Sequence, residues 1–79
     1  MNATTWPPVR KTNAMRHVEA AHRQQDIRDI LLDALVNHST DRLAADSLGI
    51  DNTTLSLWLV RLGIVNRADS IRAERYEAV

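Results

Sequence analysis

Residues 40–64, TDRLAADSLGIDNTTLSLWLVRLGI, restrict what this chain can fold into more than any other stretch. The stretch holds both glycines of the chain, Gly49 and Gly63, and isoleucine follows each of them. Glycine after a run of helix-forming residues commonly ends the helix by taking a left-handed conformation that other residues resist. A short helix is expected over 41–48, capped by Ser39 or Thr40, with Asp41 in its first turn beside the positive end of the helix dipole. Gly49 ends that helix and Ile50 turns inward. Asp51 then caps a second helix over 52–62, which Gly63 stops. Ala45 lies four residues before Gly49 and is small enough for two helices to approach closely. Leu55, Trp58, Leu59 and Leu62 recur at helical spacing and form the inward side of the second helix. Two helices joined by so tight a turn make a helix-turn-helix.

The flanks also read as helical. From Asn13, a plausible cap, apolar residues recur to about Val36: first Met15, Val18 and Ala21, then Ile27, Ile30, Leu31, Ala34 and Leu35. Between these sets lies the wholly polar HRQQD, residues 22–26, so one long helix and two helices broken near Gln24 both fit. Asp26, Asp29 and Asp33 recur on one side, expected to face solvent. Asn66 can cap a last helix carrying Ala68, Ile71, Tyr76 and Val79. Pro7-Pro8 rules out helix near the start and favours an extended arm over 1–12. Trp6 in that arm either tucks back onto the core or anchors a partner, and the first reading is preferred. The expected fold is therefore all-α: a small helix-turn-helix domain of about four helices over 13–79, behind an extended N-terminal arm.

Several function classes are set aside. A chain of 79 residues suits one small domain with one core. Cysteine is absent, so neither a disulfide nor a thiolate zinc site can staple it. No apolar run reaches the roughly 18 residues that a membrane span needs. The opening MNATTWPP lacks a basic stretch followed by an apolar one, so no secretory signal is expected and the cytoplasm is the default compartment. No glycine-rich phosphate loop or nucleophile motif occurs. His17 and His22 flank Glu19, but a spacing of five places the two rings on different sides of a helix. Asp26, Asp29 and Asp33 have no nucleophile or histidine beside them in sequence. An enzyme is not expected, nor is a cofactor or a metal.

The quoted motif resembles the C-terminal helix-turn-helix of Fis and of the NtrC-type activators. The matching residues are Ala44-Ala45, Leu48-Gly49-Ile50, Asp51, Thr54-Leu55, Leu59 and Gly63-Ile64, preceded by an amphipathic helix ending in ILLDALV. The resemblance covers about residues 27–64 and implies a DNA-binding domain with its recognition helix over 52–62 in the major groove. The departure lies in that helix. Where the family carries Arg and Lys after the Thr-Leu step, this chain has Ser56-Leu57-Trp58-Leu59-Val60, and only Arg61 is charged.

Helical periodicity turns Thr53, Leu57 and Val60 away from Leu55 and Leu59, with Ser56 and Arg61 at their flanks. With Asn52 at the helix start, these are the candidate base contacts. Hydroxyl and aliphatic groups can meet base edges and thymine methyls, and arginine can take guanine or phosphate. Phosphate contacts must then come from elsewhere, and Arg10, Lys11, Thr40, Arg42 and Arg67 are the candidates. Net charge is zero, but residues 1–23 carry a balance of +3, residues 24–60 one of −4, and residues 61–79 one of +1. A homodimer is expected, because one short motif reaches few phosphates and two half-sites multiply affinity. The brevity of the chain fits a regulator, such as a repressor, encoded by a phage or another mobile element and acting in the host cytoplasm. The alternative is a small adaptor or inhibitor that binds a host protein through Leu57 and Val60.

Overall fold

The computed structural model describes residues 6–74. Tyr76 and Val79, expected on the last helix, lie outside that range. Among these residues five helices follow one another: α1 (Asn13–Ala21), α2 (Ile27–Asn37), α3 (Asp41–Leu48), α4 (Asn52–Arg61) and α5 (Val65–Arg72). No strand occurs among the described residues, so the all-α expectation holds, with five helices in place of about four.

The extra helix comes from a break in the 13–36 segment. After α1, Arg23 and Gln24 both adopt positive φ, 59° and 61°. This lets the Gln24 N–H reach back to the Glu19 carbonyl at 2.8 Å, so the helix ends without a glycine. Asp26 then opens α2 by accepting the Arg28 N–H at 2.8 Å. At the start of α1 the cap is Thr12, whose hydroxyl accepts the Met15 N–H at 3.2 Å; Asn13 is the first helical residue. Asn66 is likewise inside its helix. Ile64 occupies the cap position of α5, with no side-chain hydrogen bond.

α2 is the centre of the molecule and contacts all four other helices. Ile27, Ile30, Leu31, Leu32, Ala34 and Leu35 are all buried, which exceeds the one-sided stripe of a surface helix. α2, α3 and α4 contact one another pairwise, α1 packs on α2, and α5 packs on α2 and α4. Met15, Leu55, Trp58, Ile64 and Ala68 complete the core.

Two polar clusters join elements that are distant in sequence. In the first, Lys11 Nζ lies 2.7 Å from Glu19 Oε2 and 3.3 Å from Asp26 Oδ2. Asp26 in turn takes Arg28 Nε and Nη2 at 2.8 and 2.9 Å. The buried Arg28 donates its Nη1 to the Pro7 carbonyl at 2.8 Å. Trp6 donates its indole N–H to Asp29 at 2.9 Å, and the guanidinium groups of Arg28 and Arg67 each lie 5.0 Å from its ring centroid. The described part of the arm is therefore a strap, pinned along α2, and Trp6 tucks back onto the core. Asp26 and Asp29 serve that strap, and of the three aspartates only Asp33 is the solvent-exposed residue expected. In the second cluster Arg72 of α5 donates to the Leu35 and Ser39 carbonyls and pairs with Asp41 at 3.1 Å. It closes the carbonyl end of α2 and ties it to the start of α3.

Candidate nucleic-acid interface

The turn between α3 and α4 is set by backbone geometry. Gly49 adopts φ 72° and ψ 25°. Its N–H bonds to the Asp46 carbonyl at 3.1 Å, and the Ile50 N–H bonds to Ala45 at 3.1 Å, so the last carbonyls of α3 find donors inside the turn. Asp51 then starts α4 by accepting the Thr54 N–H at 2.7 Å, a bond that holds its carboxyl below the ordinary value. The same device recurs at the far end of α4, where Gly63 has φ 71° and the Ile64 N–H reaches Leu59 at 3.0 Å. Ala44 and Ala45 are fully covered where α3 meets its neighbours, and Leu55, Trp58, Leu59 and Leu62 point inward.

With those residues committed to the core, α4 presents its other side to solvent. Asn52, Thr53, Ser56, Leu57, Val60 and Arg61 are all exposed. Thr53, Ser56, Leu57 and Val60 follow at steps of three, one and three, which makes one continuous strip along the helix. Leu57 and Val60 retain 62% and 68% of their surface, so the centre of this strip is apolar and uncharged, with Arg61 at its C-terminal end.

The five expected phosphate contacts fall in different places. Arg10 is exposed and lines one cleft with Arg61. Arg42 is exposed on α3. Thr40 accepts the Leu43 N–H at 3.2 Å with one lone pair of its hydroxyl oxygen, and the hydroxyl proton can still donate. Arg67 is exposed but its guanidinium rests on the Trp6 ring. Lys11 is the correction: its ammonium sits between Glu19 and Asp26, which raise its pKa, and it has no surplus charge to offer a phosphate. The cluster was not legible in the sequence because its members are spread from residue 6 to residue 67. The one local signal was Asp26 two residues before Arg28, a capping carboxylate within reach of a side chain in the first turn.

Among the described residues no helix is long and apolar enough to cross a membrane, and no three His, Asp or Glu side chains are grouped to hold a metal. No family model matches the chain, and no curated protein or solved structure matches it.

Proposed function

We propose that this domain is a sequence-specific DNA-binding regulator that inserts α4 into the major groove. The observation supporting the reading is the exposed strip Thr53-Ser56-Leu57-Val60-Arg61, carried on a helix whose two ends are fixed by glycine turns. A recognition helix needs that combination of a rigid mount and a side free of intramolecular duties. The neutral strip suits thymine methyls and a hydroxyl-to-base hydrogen bond, while Arg61 at its end, Arg10 in the same cleft and the exposed Arg42 of α3 supply charge. Two copies of the domain bound to a paired half-site would compensate for so few phosphate contacts.

Selection on random duplex DNA at a fixed salt concentration tests the proposal. Recovery of an enriched motif is expected, and Ser56→Ala and Leu57→Ala should each change the preferred base at one position at a cost of about 1–3 kcal/mol. Failure to enrich any sequence with folded protein would remove the proposal. The exposed apolar pair Leu57 and Val60 also favours a second reading, in which the same strip docks a protein. That reading requires Leu57→Asp to abolish a defined protein complex while the unaltered domain ignores DNA.

A further inference from the structure

We propose that Arg10 of the strap and Arg61 of α4 together grip one backbone phosphodiester of the duplex, so that Arg61 serves the backbone and not a base. The inference rests on the DNA-binding reading above and gives that site its register.

Four observations lead to it. First, the two side chains line the same cleft, of about 570 Å³, together with Val9, Lys11, Thr12 and Asn13. Among the described residues no carboxylate lines this cleft, and the one other cation there, Lys11, is already neutralised by Glu19 and Asp26.

Second, the chain has equal numbers of acidic and basic side chains, and Lys11, Arg28 and Arg72 all have carboxylate partners. Among the described residues neither Arg10 nor Arg61 forms such a pair. A phosphate entering a cleft that both residues line would meet two guanidinium forks with no carboxylate partner, a donor geometry that matches its oxygens.

Third, Arg10 is not on a loose arm. On one side of it the Pro7 carbonyl is held by Arg28; on the other, Lys11 is held by two carboxylates and Thr12 caps α1. The strap therefore fixes the Arg10 backbone before binding, and only its exposed side chain has still to be ordered.

Fourth, Arg61 closes α4, nine residues beyond Asn52. At about 1.5 Å per residue it lies roughly 13 Å along the axis from the end that enters the groove. The major groove is about 12 Å wide, which places Arg61 at the groove wall, where the backbone runs.

The test is a mutant cycle on the selected duplex, using Arg10→Ala, Arg61→Ala and the double variant, with Ser56→Ala as the base-reading control. Affinity is measured across a salt series and base preference by repeating the selection. Both side chains are exposed, so circular dichroism should show the fold intact. Each single variant is expected to lower affinity roughly tenfold and to flatten the dependence of log K on log salt by at most about one unit. Base preference should be unchanged, and the double variant should lose less than the two single losses combined. A shifted preference at one base in Arg61→Ala, or strictly additive losses, would overturn the shared grip and leave DNA binding standing. A lower melting temperature in Arg61→Ala with unaltered affinity would assign Arg61 to the helix dipole instead and overturn it as well. If the unaltered protein binds no duplex, the function itself fails and the grip fails with it.

Discussion

Among the described residues, four with positive φ set three of the helix ends, and chemistry divides them into two kinds. Gly49 and Gly63 reach the left-handed region at no steric cost, and a Cβ on either would meet nothing within 4 Å. Arg23 and Gln24 reach the same region with side chains attached, at a cost of about 1–2 kcal/mol each. Opposite outcomes follow. Gly49→Ala should lose about 1 kcal/mol from backbone conformation alone, whereas Gln24→Gly should gain a few tenths to about 1 kcal/mol, once glycine's greater freedom in the unfolded chain is subtracted. Urea unfolding of the two variants checks both signs. A stable Gly49→Ala protein would mean that the turn between α3 and α4 can adopt another conformation. The turns marked by glycine were legible in the sequence for this reason, and the end of α1 was not: nothing in HRQQD announces a residue that tolerates strain.

At the scale of elements, the strap and the α1–α2 junction depend on charge. Asp26 does three tasks at once: it caps α2, binds Arg28 through both oxygens and shares Lys11 with Glu19. The Arg28 side chain is the main reason its carboxyl is held well below its ordinary value, with the Arg28 backbone N–H and Lys11 adding to the effect. Unfolded chains take up a proton on Asp26 near its ordinary value of 3.8, and the folded domain resists protonation until much lower pH. The stabilisation is therefore complete above that ordinary value and lost as pH falls below it. Asp26→Asn should cost about 2 kcal/mol at neutral pH and flatten the decline in stability between about pH 4 and pH 2. Chemical unfolding at a series of pH values checks this, and an unchanged slope would show that other carboxylates carry the acid sensitivity. Helical periodicity revealed α2, α3 and α4 because their apolar positions are local in sequence. It could not reveal that Lys11 would be spent on Glu19 and Asp26, since such pairing depends on how the strap crosses two helices.

For the molecule as a whole, α2 is the shared wall of every packing layer. Its amides should exchange with solvent only through global unfolding, while the N–H groups of α1, which packs chiefly on α2, should open at lower free energy. Hydrogen exchange followed by NMR would measure this order; slower exchange in α1 than in α2 would contradict it. The candidate interface was legible in part. The exposed side of α4 follows from its inward leucines, so Thr53, Ser56, Leu57 and Val60 could be placed from sequence. That Arg10 and Arg61 line one cleft could not, because it joins the first described segment to the end of the fourth helix.

The two tryptophans occupy different situations, and this gives the protein a pair of built-in optical reporters. Trp58 sits in the core beneath the exposed strip of α4 and is only 5% exposed. Trp6 is half-buried at the edge of the core, held by Arg28, Arg67 and Asp29. Fluorescence from a Trp6→Phe protein therefore follows collapse of the interior, and fluorescence from a Trp58→Phe protein follows release of the strap. Emission curves that separate along a denaturant gradient would resolve detachment of the first segment from loss of the helical core.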